Sequence, residues 1–317
     1  MDICRLAQAI EQETEKIIVG KSDRIRLIIM AILANGHILL DDLPGVGKTT
    51  LVKTISLALG CRSGRIQFVP DMLPSDIIGM RIFNQKTGDF ELRQGPVMTN
   101  ILLADEINRA IPRTQSALLE AMEERQISID GEQFALPTPF LVLATQNPVE
   151  SESTFRLPAA QMDRFLIRIS MGYPKPEEER EMLRNLGDEI PFDTVRAVTN
   201  AEELSRAQQQ VAAVHVSDAV ADYIVALVDM TRRHDQLVMG ASPRASRGLY
   251  RAAKVWAAMQ GRDYVTPDDV KALAHPVLEH RLVLSGAARF SGASAASVLG
   301  DVLSRVEAAP ALKGERA

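Results

Sequence analysis

Residues 36–50 read Gly36-His37-Ile38-Leu39-Leu40-Asp41-Asp42-Leu43-Pro44-Gly45-Val46-Gly47-Lys48-Thr49-Thr50. The apolar run from Gly36 to Leu40 predicts a short buried strand. Asp42 to Gly47 is rich in Gly and Pro and predicts a loop. Lys48 to Leu59 returns to helical spacing, with Gly60 as its stop. A strand, a glycine loop and a helix in that order belong to an α/β fold. They match the phosphate-binding P-loop except at its first glycine, where Asp42 stands. In such a loop the main-chain N–H groups point inward and, with the helix N-terminus, cradle phosphate oxygens; a side chain there would fill the phosphate site. Pro44, Gly45, Val46, Gly47, Lys48, Thr49 and Thr50 are therefore expected to line a nucleotide. Lys48 would reach the β- and γ-phosphates, and the Thr49 hydroxyl would hold Mg²⁺. Asp42 must turn its carboxylate away. The plain alternative is a tight turn that happens to contain Gly-Lys-Thr.

Working outward, Ile3 to Ile18 and Asp23 to Ala34 read as helices ahead of this unit. Three further apolar strand candidates follow: Arg65 to Val69, Asn100 to Ala104 and Phe140 to Thr145, with a helix at Pro112 to Arg125 between the last two. Strands alternating with helices predict a parallel sheet covered on both faces. Two hairpins interrupt the alternation. Arg81–Asn84 and Phe90–Arg93 flank Lys86-Thr87-Gly88-Asp89, and Gln126–Ile129 and Gln133–Leu136 flank Asp130-Gly131. A further strand runs from Leu166 to Ser170. Beyond it the character changes. Pro176 with Glu177, Glu178 and Glu179 reads as a helix start, and residues 187–198 read as a linker. Helix then follows helix, with Asn200 and Glu203 at capping-box spacing, Val220, Tyr223, Ile224 and Leu227 on one stripe, Ser242 capping a helix that Pro243 begins, and Thr266-Pro267-Asp268-Asp269 capping another helix. We expect a nucleotide-binding core with two inserted hairpins over 1–186 and a helical domain over 187–317.

Four further places carry chemistry. Ile101-Leu102-Leu103-Ala104-Asp105-Glu106 is a buried strand ending in two acids, at the edge where open α/β sheets bind ligands. Asp105 would act on Mg²⁺ through its water shell, and Glu106 would orient and deprotonate a water in line with the γ-phosphate. Asn147, after Leu141 to Gln146, could hydrogen-bond that water or a γ-phosphate oxygen. Arg164 and Arg244 offer guanidinium forks for charge developing between the β- and γ-phosphates. Taken singly, Asn147 is a strand-ending turn residue and each arginine a surface ion pair.

Composition narrows the class. Of 317 residues, 46% are hydrophobic and 24% charged, which excludes wholesale disorder. No apolar run approaches the ~20 residues of a membrane span. The first residues, Met1-Asp2-Ile3-Cys4-Arg5, lack a basic flank and apolar core, so no signal peptide is expected and a cytoplasmic setting is. Two cysteines, Cys4 and Cys61, suit a reducing compartment. With 36 basic against 41 acidic residues, the net charge of −5 does not announce a nucleic-acid binder. The histidines, His37, His215, His234, His275 and His280, show no metal spacing.

These residues together resemble the AAA+ ATPases, and closely the MoxR family of the helix-2-insert clade. The likeness rests on Phe68-Val69-Pro70-Asp71-Met72-Leu73-Pro74-Ser75-Asp76, Ala104-Asp105-Glu106-Ile107-Asn108-Arg109-Ala110 and Gln115-Ser116-Ala117-Leu118-Leu119-Glu120-Ala121-Met122. It rests also on Ala144-Thr145-Gln146-Asn147-Pro148 and Gly240-Ala241-Ser242-Pro243-Arg244-Ala245, and runs from about Ile17 to Arg281. The resemblance implies a P-loop NTPase core followed by an all-helical lid. It implies that Gly45 to Thr50 are the Walker A loop, Asp105 and Glu106 the Walker B pair, Asn147 sensor 1 and Arg244 sensor 2. It makes Arg164 an arginine finger acting on the neighbouring subunit's nucleotide, and Val19 and Gly20 the lining of the adenine. In relatives the two hairpins face the central pore of a ring, usually a hexamer. Such proteins act as ATP-driven chaperones that remodel or mature client proteins, and many MoxR members work with a von Willebrand factor A domain partner. The expectation is therefore a Mg²⁺-dependent ATPase in a homo-oligomeric ring. The competing readings are a nucleic-acid-directed motor, a metal-chelatase motor subunit and a switch that binds ATP without cleaving it.

Overall fold

The computed structural model describes residues 2–41, 45–146, 155–185 and 190–307. Helices α1 (Ile3–Glu15) and α2 (Ser22–Leu33) lead into β1 (His37–Asp41) and α3 (Lys48–Ala58). Then come β2 (Ser63–Gln67), α4 (Pro74–Ile78), the hairpin β3 (Gly79–Asn84) and β4 (Asp89–Gln94), β5 (Ile101–Asp105) and α5 (Pro112–Glu124). The hairpin β6 (Gln126–Ile129) and β7 (Glu132–Ala135), β8 (Leu141–Gln146), α6 (Ala159–Met162), β9 (Phe165–Ile169) and α7 (Pro176–Asn185) complete the first half. The second half holds α8 (Ala201–Gln210), α9 (Asp218–Arg232), β10 (Leu237–Met239), α10 (Pro243–Met259), α11 (Pro267–Leu278), β11 (Val283–Leu284), α12 (Gly286–Phe290) and α13 (Ala295–Arg305).

The central sheet is parallel, in the order β2-β5-β8-β1-β9. Alternation along its strands feeds two cores. Ile38, Leu40, Ile101, Leu103, Leu141 and Leu143 pack with Ile28, Ile29 and Ile55 of α2 and α3. Leu39, Leu102, Ala104, Val142 and Ala144 pack with Leu118, Leu119 and Met122 of α5 on the opposite face. The first of these cores continues through α1 and α2 into Leu249, Val270, Leu273 and Leu299 of the helical half. Both hairpins form as antiparallel pairs outside the sheet.

Two details depart from the sequence reading. The strand expected at Arg65 to Val69 lies two residues earlier, because as an edge strand it pairs in register from Ser63 opposite Ile101 to Gln67 opposite Asp105. The helical half is not purely helical: β10 and β11 form a small antiparallel pair between the segment after α9 and the segment after α11. The caps agree. Asn200 accepts from the Glu203 N–H at 3.0 Å, Thr266 and Asp269 form a capping box, and Ser242 accepts from the Arg244 N–H at 3.1 Å. Gly60 stops α3 with φ +59, where a Cβ would lie 2.4 Å from the Thr199 carbonyl oxygen.

Besides this shared apolar core, buried polar side chains tie the helical half to the sheet: His280 Nε2 lies 3.2 Å from the Phe165 carbonyl, and Arg281 makes the larger set of bonds. Arg281, 3% exposed in its side chain, pairs through Nε with Asp163 Oδ1 at 2.7 Å. It also donates to the carbonyls of Phe165 at 2.6 Å, Leu166 at 3.2 Å and Val277. Asp163 Oδ2 accepts from the Ser242 hydroxyl at 2.8 Å, so one carboxylate fixes two points of the helical half.

His37, at the start of β1, is buried with both nitrogens used. Nδ1 accepts from the Val142 N–H at 3.0 Å, and Nε2 lies 3.1 Å from the Met122 carbonyl, an arrangement that needs the neutral ring. Burial, reinforced by Arg125 and Arg251, pushes its pKa down to about 3. The unfolded chain, with an ordinary histidine pKa near ~6.5, takes up the proton first. The stabilisation is therefore complete above that value and is lost as pH falls through the window down to about 3. Urea unfolding should show about 2–3 kcal/mol of His37-dependent loss between pH 6.5 and 4.5. His37→Gln should flatten that part of the profile; an unchanged profile would refute the assignment.

Candidate active site

The carboxyl ends of β1, β5 and β8 share one edge of the sheet. There Gly45 (φ +84) and Gly47 (φ +79) adopt left-handed backbone, and a Cβ built on either meets nothing within 4 Å. At both positions the positive φ, not a crowding neighbour, is what favours glycine, and the space beside the backbone is open, as a phosphate cradle requires. Lys48 opens α3 and is 9% exposed, whereas Thr49 faces solvent. Val46 is half-buried and Thr50 sits one turn before Thr54, whose hydroxyl donates to its carbonyl at 2.8 Å. Pro44 and Asp42 lie outside the described residues, as does Asn147.

Asp105 ends β5 with both carboxylate oxygens engaged. Oδ1 accepts from the Thr145 hydroxyl at 2.7 Å, and Oδ2 pairs with Arg65 at 2.9 Å. Glu106 then leaves the strand at φ +55, a left-handed conformation costing on the order of 1–3 kcal/mol in a non-glycine residue. Two bonds hold it: its N–H donates to Thr145 Oγ1 at 2.8 Å, and its carbonyl accepts from the Arg109 N–H at 2.9 Å. Its Oε2 accepts from Gln67 at 2.7 Å and Arg109 at 3.1 Å. Arg65 also donates to Gln67 Oε1 at 2.6 Å, so the two adjacent carboxylates are joined in one polar network at the end of β5. The oxygens of Thr49 and Asp105 form a hard donor set that suits Mg²⁺ completed by waters.

The turn at Val19 and Gly20 follows α1 and packs on the start of α7. A Cβ on Gly20 (φ +72) would lie 2.2 Å from Glu178, and Lys21 beside it donates to the Tyr173 carbonyl at 2.9 Å. Since Tyr173 follows the carboxyl end of β9, this turn flanks the same edge as the glycine loop.

Arg164 and Arg244 are elsewhere. Arg164 immediately precedes β9, whose first residue, Phe165, pairs with His37 at the start of β1. It therefore stands at the amino edge, about 13 Å of strand away from the glycine loop. Arg244, in the first turn of α10, stands beside it. Both reach one carboxylate, Arg164 Nε to Glu123 Oε2 at 2.8 Å and Arg244 Nη2 to Glu123 Oε1. Thus the structure brings Lys48, Thr49, Asp105 and Glu106 to one edge and Arg164 and Arg244 to the other.

Several contributors escaped the sequence reading. Gln67 lies opposite Asp105 in the sheet register, and Thr145 follows Ala144, which lies opposite Ala104. That register is the signal that could have found them. Glu123, on an exposed face of α5, carries none.

Comparison with known proteins agrees with this architecture. Residues 37–167 match the ATPase family associated with various cellular activities (AAA), and residues 229–302 match the AAA lid domain. The chain is similar to Chaperone MoxR1 of Mycobacterium tuberculosis, 47% identical over 86% of this chain and 74% of that protein. It is similar to Protein MoxR of Methylorubrum extorquens, 33% identical over 88% of each. A crystal structure of a candidate ATPase from Cytophaga hutchinsonii superposes with a TM-score of 0.91 at 38% identity, covering 97% of this chain and 96% of that one. Fold and site together define an AAA+ ATPase. Within that class, the chain belongs to the MoxR family.

Thr145 is fully buried, and its hydroxyl serves Asp105 and the strained Glu106 at once. Thr145→Val keeps the shape and takes away the partner of Asp105 Oδ1 and of the Glu106 N–H. A loss of about 2 kcal/mol in urea unfolding is expected; a loss within about 0.5 kcal/mol, the scatter of neutral substitutions, would show that the hydroxyl holds neither.

Proposed function

We propose that this chain is a Mg²⁺-dependent ATPase that works as a ring of identical subunits and remodels partner proteins. One observation carries the reading: the phosphate-side residues and the arginines occupy opposite edges of the sheet, so one chain cannot bring both to one nucleotide. A second copy can, presenting its amino edge to the first copy's glycine loop.

In this reading Gly45 to Thr50, with Pro44, wrap the phosphates, Lys48 neutralises the β- and γ-oxygens, and Val19 and Gly20 line the base. Bound Mg²⁺, held by Thr49 and through water by Asp105, would supply charge neutralisation on the phosphates. Glu106 takes the proton of the attacking water, its carboxylate positioned by Gln67 and Arg109. Asn147 orients that water or a γ-phosphate oxygen. Arg164 and Arg244 of the adjacent copy fork onto the oxygens whose charge rises as the γ-phosphate departs, a contribution worth ~10³–10⁵ in rate in other nucleotidases.

A protein client is supported by the β3–β4 hairpin. Its tip exposes Phe83 (51%) and Phe90 (68%), packed edge to face with centroids 5.3 Å apart. An apolar tip suits polypeptide better than a phosphate backbone, and Arg81 is already paired with Glu132 of the second hairpin. The name of the Mycobacterium tuberculosis relative points the same way. A von Willebrand factor A domain partner and a hexameric ring follow from the family resemblance, and the division of the chain at 186/187 from the change of character along the sequence. A cytoplasmic setting is supported by two free cysteines; among the described residues no helix is long and apolar enough to cross a membrane.

Mixing tests the shared site. Lys48→Ala and Arg164→Ala should each be nearly inactive, Lys48→Ala through lost nucleotide binding and Arg164→Ala with binding intact. Combining the two should restore turnover, because a mixed interface pairs an intact loop with an intact arginine. No recovery on mixing, or full activity of Arg164→Ala alone, would overturn the reading. Glu106→Gln with ATP should trap assemblies on their client: a captured protein with a von Willebrand factor A domain supports the proposal, and captured nucleic acid would replace it with the motor reading.

A further inference from the structure

Beside Arg164 and Arg244, the amino edge holds a cleft of about 410 Å³ between α5, β9 and α10. Six arginines line it, against the carboxylates of Glu123 and Asp163. Asp163 is consumed by Arg281 and Ser242, and Glu123 is shared by Arg164 and Arg244. Arg125, Arg247 and Arg251 remain without a carboxylate among the described residues. Arg125 donates to the carbonyls of Phe140 and Asn35 and lies 5.9 Å from the Phe140 ring centroid, and Arg251 donates to the Asn35 carbonyl at 3.3 Å.

The arrangement is ordered. Arg244, Arg247 and Arg251 recur at i, i+3 and i+7 and so share one face of α10. Arg125 faces them from a left-handed position at the end of α5. The charges press on one another: burial and then Arg251 push Arg125 down to about 10, while burial and Arg247 lower Arg251. Like charges converge on a partly desolvated cavity whose own acids are taken. Guanidinium forks of this kind match phosphate oxygens, with bidentate geometry that a lysine could not supply.

We propose that this cleft is a binding site for a phosphoryl polyanion, captured by Arg125, Arg247 and Arg251 in addition to the Arg164–Arg244 pair. Glu123 holds that pair in place until the anion displaces it. The anion has two sources: the triphosphate of the adjacent copy's nucleotide, which rests on the shared-site reading above, or a free inorganic polyphosphate, which does not.

The experiment uses the full chain and inorganic tripolyphosphate. In the first arm Lys48→Ala silences the glycine loop, and calorimetry measures tripolyphosphate binding at low and moderate salt. Binding that weakens with salt, and at least tenfold further with Arg247→Gln/Arg251→Gln, establishes a free-anion site. In the second arm, sedimentation follows self-association of the unmutated chain with Mg²⁺ and a non-hydrolysable ATP analogue. If free tripolyphosphate does not bind but Arg247→Gln/Arg251→Gln loses this association, the site is established and the anion is the neighbour's triphosphate. Arg247 and Arg251 are exposed, so unchanged melting of the double variant verifies its fold, and Arg247→Lys/Arg251→Lys should recover part of either effect. If the double variant alters neither measurement, or tripolyphosphate binding ignores it, the proposal is overturned, even where Arg164→Ala still abolishes turnover.

Discussion

The polar contact between the helical half and the sheet centres on a buried guanidinium. Arg281 reaches from the end of α11 to Asp163 and to the carbonyls that begin β9. Those carbonyls lie just before and at the start of a strand, where the sheet leaves main-chain oxygens without partners. Burial penalises the cation, which lowers the pKa of Arg281, but Asp163 and the carbonyl oxygens offset that penalty. Because Asp163 also holds the Ser242 hydroxyl, the same carboxylate sets where α10 begins. Arg244 is two residues further on. A bond made deep in the interface between sheet and lid therefore fixes a side chain on the surface, and fixes it beside Arg164.

A second constraint operates at the opposite edge. Asp105 and Glu106 are neighbours in sequence, and both carry polar partners at the end of β5, whereas extended strand geometry would turn the two to opposite faces. The left-handed backbone at Glu106 solves this, and its strain is carried by Thr145 on the adjacent strand. Gln67 on the other side holds the Glu106 carboxylate. The acid pair is thus flanked by polar side chains from both neighbouring strands, β2 and β8, and the parallel register decides which residues those are.

The legibility of these features follows from their range. The five sheet strands, the glycine loop and both hairpins could be read from local pattern, since apolar runs, Gly-rich turns and period-two alternation are properties of adjacent residues. The caps at Asn200, Ser242 and Thr266 were legible for the same reason. Gln67, Glu123 and Arg281 were not. Each acts through a partner on another element, Gln67 39 residues and Arg281 118 residues from the side chain it meets. Nothing in the composition around Glu123 separates it from Glu120 or Glu124 on the same helix. Likewise, the arginine spacing along α10 could be counted in the sequence, but that Arg125 faces it across a cleft could not.

The two edges differ in what they lack. At the carboxyl edge the acids are already balanced: Asp105 by Arg65, and Glu106 by Arg109. At the amino edge positive charge exceeds negative, and Glu123 spreads one charge over two guanidiniums. In an isolated chain the arginines beside the glycine loop, Arg65 and Arg109, are thus taken up by Asp105 and Glu106, whereas the amino edge holds a cluster of arginines in excess of its acids. Placing one edge against the other satisfies both with the same ligand. Nucleotide bound at the junction would then act as the electrostatic glue between copies as well as the fuel. The cost of separating copies would fall only once the cleaved phosphate leaves the junction, because it carries away part of the negative charge that the arginines share.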